Sequence, residues 1–249
     1  APLFTTIEGQ GADFEKGYAA HERGDYRTAL REWEPLAELG NADALYYLGV
    51  MYQKGQGVRQ DYKTAVKWYT LAAEQDDTDA QYNLGLMYER GEGIPQDNRT
   101  AVKWYTIAAR KRNAYARPKL LIFARQGNAY AQYNLGSLYA EGQGVTQDNI
   151  YAYMWLDIAA SQGYKKPAEN REIVANKMTS AQLEQAQALS KISGVSEESI
   201  FQTLTSLIKK NAQYQQRQSD RKTEVQITAT PSLSRIEDEL ITICFSKNL

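Results

Sequence analysis

The side chains able to do chemistry in this chain are few and stand apart. His21 is the only histidine and Cys244 the only cysteine among 249 residues. A nucleophilic triad or an imidazole zinc site would have to grow around His21, with the thiol far away along the chain. Glu22 and Arg23 follow His21, which predicts a solvated helix face rather than a reaction centre. Carboxylates number 30, but those that recur, Asp61, Asp97 and Asp148, stand just ahead of helical patterns. There an oxygen acceptor satisfies free backbone N–H groups and suits the positive helix end. Gly55 and Gly57 form a Gly-x-Gly pair without the lysine and serine, or the preceding strand, of a phosphate loop. The basic clusters Arg110, Lys111, Arg112 and Lys209, Lys210 lack an aromatic platform and suit helix C-termini. The expectation is binding without catalysis: no catalytic residue, no metal, no cofactor and no nucleic-acid partner.

Bulk composition agrees. Apolar residues make up 43% and charged residues 24%, the balance of a globular chain. A net charge of −1 gives no overall field to draw in nucleic acid or an anionic membrane. No apolar run approaches the roughly 20 residues that span a bilayer, so no integral membrane segment is expected. A single cysteine leaves no internal disulfide and no cysteine-rich zinc site. The chain starts Ala1, Pro2, Leu3 without methionine, which leads to an expectation of processing and export, periplasmic or secreted.

The organising signal is a repeat. Residues 41–76 recur at 77–112 with about 20 of 36 positions identical, and a third copy occupies 128–163. Each copy reads as two helices. Leu48, Gly49 and Tyr52, matched by Leu84, Gly85 and Tyr88, share one face of the first. Asn41, Asp77 and Asn128 are placed to cap it. Gly55, Gly91 and Gly142 are placed to end it, because positive φ costs glycine least. Gly57, Gly93 and Gly144, each followed by Val58, Ile94 or Val145, make a compact linker, and the apolar residue is expected to pin it to the core. In the second helix Ala65, Trp68, Tyr69, Ala72 and Ala73 recur as Ala101, Trp104, Tyr105, Ala108 and Ala109. Small Gly49 and Ala72 should let backbones approach, while Trp68 and Tyr69 fill the space between repeats. Upstream, helices near 13–23 and 26–39 joined at Gly24 form a plain pair.

These residues resemble the Sel-one-like repeat of bacterial proteins, a relative of the tetratricopeptide repeat, over roughly residues 12–193. Ala152, Trp155 and Ala159, with Ala175 to Gln182 beyond them, look like the usual ending of bacterial members. The resemblance implies an all-α, right-handed superhelical solenoid of antiparallel helix pairs. It also implies adaptor or scaffold work on a protein or peptide partner, often outside the cytoplasm. Some cysteine-rich relatives are associated with β-lactam binding or hydrolysis. Their paired cysteines are absent here, so a β-lactam or cell-wall-peptide hydrolase is the alternative rather than the expectation.

The domain plan is a tail at 1–10, a solenoid at 11–193 and a C-terminal extension at 194–249. Within the solenoid, pairs occupy about 12–40, 41–76, 77–112 and 128–163, a remnant lies at 113–127, and 164–193 caps the stack. The remnant reads as a repeat that has lost its linker and half of each helix, with Pro118 in the first turn of what is left. One helix in place of a pair predicts a kink or change of curvature near 112–128. In the cap, Thr179 and Gln182 have the spacing of a capping box. In the extension, Ile200, Leu204, Leu207 and Ile208 mark an amphipathic helix.

Repeat stacks offer a concave face lined by the first helix of each pair. By alignment with tetratricopeptide repeats, the groove residues are Asp43, Tyr46, Val50, Gln53 and Lys54 in the first copy. Asp79, Tyr82, Leu86, Glu89 and Arg90 follow in the second, and Tyr130, Tyr133, Ser137, Ala140 and Glu141 in the third. Tyr47, with Asn83 and Asn134 in its column, is a neighbouring candidate. Tyrosine, amide and both charge signs suit an extended peptide or a partner's loop.

Overall fold

A computed structural model describes residues 11–192, and among these every element is helical. In chain order they are α1 (Phe14–Glu22), α2 (Tyr26–Glu38), α3 (Ala42–Lys54), α4 (Tyr62–Glu74), α5 (Thr78–Arg90) and α6 (Asn98–Arg110). α7 (Ala116–Arg125), α8 (Ala129–Glu141), α9 (Asn149–Ala160), α10 (Lys165–Ala175) and α11 (Ser180–Ile192) complete the order. Two compact units divide at Thr179 and Ser180. The first holds α1 to α10, each helix packed on the next as a helix-pair solenoid. In the second, α11 buries Ala186 and Leu189. The expected helix of residues 200–208 and the tail at 1–10 lie outside the described residues.

Side chains at the helix ends set the boundaries. Asn41, Asp77 and Asn128 accept from the amides of Ala44, Ala80 and Ala131 at 2.9, 2.6 and 2.9 Å. Asp61 accepts from Lys63 N at 3.0 Å and Thr64 N at 3.2 Å, and Asp97 and Asp148 repeat this pattern. Gly55, Gly91 and Gly142 end α3, α5 and α8 at φ of 69°, 71° and 67°, where a side chain would be strained. A further device joins them. Gln60, Gln96 and Gln147 donate back to the carbonyls of Gln53, Glu89 and Ala140 at 2.8, 2.8 and 3.0 Å, satisfying free carbonyls at each helix end.

Within a pair, a ring lies against a glycine. A Cβ on Gly49 would fall 2.6 Å from the Tyr69 ring, and one on Gly85 would fall 2.5 Å from Tyr105. Gly136 makes the same room for Leu156. Tyr69 and Tyr105 are fully buried. The glycine therefore admits a ring rather than a neighbouring backbone, and Tyr69 fills its own repeat rather than the space between repeats. Trp68 and Trp104 are only partly buried against the core.

The stretch 113–127 folds as one helix that plays two parts. Its start imitates a first helix: Asn113 Oδ1 accepts from Tyr115 N at 3.1 Å and Ala116 N at 3.2 Å. Pro118 sits in the first turn, where no helical N–H is lost. Its end imitates a second helix: Gln132 Nε2 donates to Ala124 O at 2.8 Å, as Gln81 does to Ala73 O at 3.2 Å. Because consecutive helices are joined by short turns and run antiparallel, one unpaired helix reverses the direction of everything after it. The reversal is visible in the linkers. Gly57 and Gly93 abut Tyr26 and Tyr62, which begin α2 and α4, whereas Gly144 abuts Ala109 and Arg110 at the far end of α6. α8 also packs directly on α6, and the Arg99 guanidinium, near the start of α6, lies 5.4 Å from the Tyr130 ring near the start of α8. The two helices run in the same sense. The third repeat is thus inverted relative to the first two.

These contacts can be tested by stability measurements. A methyl group at Gly144 would collide with the Ala109 carbonyl at a φ of 72°, so Gly144→Ala should lower stability by about 2–4 kcal/mol in urea denaturation. Asp25, Asp61 and Asp97 are held below the ordinary 3.8, first by side-chain hydrogen bonds from Thr28, Thr64 and Thr100. Their contribution is complete above that value and is lost as pH falls through the lower folded values. Asp77, pushed up by burial, titrates in the opposite sense, so the comparison must be between variants. The melting temperature of Asp61→Asn/Asp97→Asn should fall less than that of the parent chain between neutral pH and about pH 3.

Candidate functional site

Four helices, α1, α3, α5 and α7, carry tyrosines whose rings meet in two runs, one on α1 and α3 and one on α5 and α7. The Tyr18 and Tyr47 ring centroids are 5.6 Å apart, Tyr47 and Tyr46 5.1 Å, and Tyr82 and Tyr115 5.7 Å. Tyr46 and Tyr82 rest on the buried rings of Tyr69 and Tyr105 at 6.0 and 5.7 Å. The strip is therefore anchored below by the rings that fit against Gly49 and Gly85. Burial pushes the Tyr47 phenol up to about 12, with Tyr18 and Tyr46 adding to it. Tyr46 is raised by burial and then by Asp79 and Asp77, and Tyr82 by burial and then by Glu89. All three remain neutral hydroxyls near neutral pH, able to donate and accept.

The strip has two rims. Asp43 and Asp79 are exposed in the first turns of α3 and α5, and Lys54 and Arg90 are exposed in the last turns. Each charge lies where the helix dipole favours it. Asn83 stands half-buried between the tyrosines. Two other expected groove residues tie helices together instead. Tyr69 OH donates to Gln53 Oε1 at 2.7 Å, and Tyr105 OH donates to Glu89 in the same position of the next repeat. The carboxylate at Glu89 is matched by Lys119 of α7, whose Nζ lies 2.9 and 3.0 Å from its oxygens.

The structure corrects part of the expected surface. Val50, Leu86, Asn134 and Ser137 are 8%, 9%, 6% and 7% exposed and leave no face for a partner. The inversion removes the third-copy tyrosines from the strip. Tyr130 is covered by Arg99 of α6. The Tyr133 ring lies 5.7 Å from Lys166 Nζ, and its hydroxyl accepts from Asn170 Nδ2 of α10 at 3.3 Å. Neither residue is drawn onto α3 or α5. Sequence reasoning missed Tyr18, Tyr115 and Ile122, which are 38%, 65% and 46% exposed. The 36-residue interval that carries Asp79 to Tyr115 and Leu86 to Ile122 was the available signal.

His21 is not on a solvated face. Its Nε2 lies 3.2 Å from Gln56 Oε1, and its ring stands 5.4, 5.5 and 5.9 Å from Tyr26, Trp33 and Tyr47. It packs at the junction of α1, α2 and α3, with Glu22 as its nearest carboxylate at 3.8 Å. Among the described residues, no group of three or more His, Cys, Asp or Glu side chains could hold a metal. No described helix is long and apolar enough to cross a membrane.

With this geometry in place, the comparisons identify the repeat. Residues 42–77, 78–113 and 129–164 match the model of the Sel1 repeat, so this part of the chain is an array of Sel1 repeats. The family is a scaffold for protein–protein interaction. A crystal structure of a Sel1 repeat protein from Oxalobacter formigenes is 29% identical, over 62% of this chain and 72% of that one, at a TM-score of 0.44. A protective antigen of uropathogenic Escherichia coli that displays an SLR fold is 27% identical. The match covers 88% of this chain and 50% of that one, at a TM-score of 0.28. No curated protein matches the chain.

The Glu89 triad generates a stability test. Lys119→Met leaves a partly buried carboxylate without its cation and should cost about 1–2 kcal/mol in urea denaturation. Adding Glu89→Gln should recover most of that loss, because a glutamine can accept from Tyr105 as Gln53 accepts from Tyr69.

Proposed function

We propose that this chain is a non-enzymatic scaffold that binds an extended segment of a partner protein across the tyrosine strip. The observation that carries this reading is a row of exposed and half-buried rings in two contacting runs, Tyr18 with Tyr47 and Tyr46, and Tyr82 with Tyr115, bridged by Asn83 hydrogen-bonded to Tyr46, between acidic and basic rims. Tyrosine combines apolar area with a hydroxyl at low conformational cost. A segment crossing four helices at right angles would bury side chains between the rings and give its backbone groups to the hydroxyls. Basic side chains of the partner would meet Asp43 and Asp79, and acidic ones Lys54 and Arg90. The repeats themselves, as members of an interaction family, support the scaffold reading. Export to the periplasm or beyond the cell is the localisation that goes with it. The alternative, hydrolysis of β-lactams or cell-wall peptides, finds no support in the comparisons.

Capture from an envelope fraction, followed by titration of the recovered protein, tests the proposal. Asp43→Lys/Asp79→Lys and Tyr82→Ala should each weaken binding by tenfold or more, while Leu71→Ala on α4 should leave it unchanged. A partner that binds all three equally would rule out the strip. Turnover of a β-lactam reporter that disappears in Tyr82→Ala would overturn the non-enzymatic reading.

A further inference from the structure

The short turns that join α2 to α3, α4 to α5 and α6 to α7 form one continuous edge of the first unit. Gln75 Nε2 of the second turn lies 3.8 Å from where a Cβ of Gly40 in the first would stand. Lys111 Nζ of the third turn lies 2.5 Å from Asp76 Oδ1 of the second. Asn113 Nδ2 donates to Thr78 O at 3.2 Å and to Asp79 Oδ1 at 2.8 Å.

Charge is sorted along this edge. Residues 11–97 contain sixteen Asp and Glu against nine Lys and Arg, and residues 98–179 contain twelve Lys and Arg against five Asp and Glu. At the turns, Glu38, Glu74 and Asp76 are exposed on one half of the edge, and Arg110, Arg112 and Arg117 on the other. Asp76 and Arg112 hold φ of 71° and 66° at the turn position where Gly40, Gly127 and Gly163 stand elsewhere. Charged residues are kept there against the backbone preference for glycine. The two most exposed large apolar residues of the described chain also lie on this edge, Leu39 at 85% in the acidic half and Tyr115 at 65% in the basic half.

An edge with acidic and basic halves side by side is complementary to itself after a half-turn. We propose that the chain forms a two-fold dimer through this turn edge. Glu38, Leu39 and Glu74 of each copy face Arg110, Arg112 and Tyr115 of the other. A two-fold arrangement satisfies both halves at once and closes, so it ends at two copies. The opposed charge of the two halves orients the encounter, and added salt weakens it. The inference does not depend on the proposed partner site, which it overlaps only at Tyr115. Tyr115 belongs to both surfaces, so the test leaves it unchanged.

Light scattering on the size-fractionated full chain reads the result directly. At about 20 mM salt the mass should be twice the 28.1 kDa of one chain, returning to one chain near about 500 mM. Glu38→Lys/Glu74→Lys and Arg110→Glu/Arg112→Glu should each be monomeric at low salt. An equimolar mixture of the two should recover the dimer, because each reversed patch then meets its complement. Circular dichroism melting establishes that each variant is folded. Where a reversal prevents folding, Arg110→Gln/Arg112→Gln replaces it and should weaken dimerisation at least tenfold. A parent chain that stays monomeric at low salt overturns the proposal. A dimer that survives either pair of reversals, or a mixture that stays monomeric, overturns it too.

Discussion

A tyrosine ring packed this closely against a helix needs a position beneath it with no Cβ. Gly49 and Gly85 supply that position, and the rings of Tyr69 and Tyr105 lie closer to their backbones than any side chain would allow. Much of the first unit depends on this contact. It draws the two helices of a pair together and buries the rings of Tyr69 and Tyr105 completely. It also holds these two tyrosine hydroxyls where Gln53 and Glu89 can accept from them, so that neither of the two buried phenols is left without a partner. Tyr46 and Tyr82 rest tilted on these rings, which means that the candidate binding surface stands on the same contact as the core. Replacing either glycine would disturb fold and surface together.

The single helix α7 shows how topology can change a surface without changing the repeat that carries it. Residues 128–163 have the same glycines, caps and linker as the two earlier copies, and they form the same helix pair. An odd number of helices precedes them in the stack, so the pair is presented in reverse. Its tyrosines turn to α6 and α10 instead of extending the strip. Alignment by repeat position assumes that equivalent positions face equivalent directions. That assumption holds for α1, α3, α5 and α7, and it fails at α8 for a reason of chain direction, not of residue type.

Much of this was legible in the sequence, because the signals were local. Asn41, Asp61, Gly55 and their counterparts act within one turn of themselves, and the 36-residue interval shows them repeatedly. The helix pairs and the first-turn place of Pro118 could be read for the same reason. What could not be read depends on which side of a helix meets which neighbour. His21 looked solvated beside Glu22 and Arg23, yet the ring points toward Trp33 and Tyr47. Val50 and Leu86 seemed available in the groove, yet both are buried. Gln60, Gln96 and Gln147 repeat in all three copies, but their donation to a carbonyl seven residues back has no simple spacing rule to reveal it.

The substitution of Glu89 for Gln53 links these levels. A glutamine accepts from the buried tyrosine and needs nothing more, whereas a carboxylate at the same depth needs a cation beside it. The repeat itself offers none at that position. Lys119 does, and it belongs to α7, so the helix that breaks the pattern also neutralises a charge introduced just before the break. The adjoining Tyr115 extends the tyrosine strip to its last helix, and the turn before it brings the cations of Arg110 to Arg112 beside the acids of the preceding turn. The interruption therefore does more than end a regular array. It fixes the final member of the tyrosine strip, reverses the third repeat, and places opposite charges side by side on one edge of the unit.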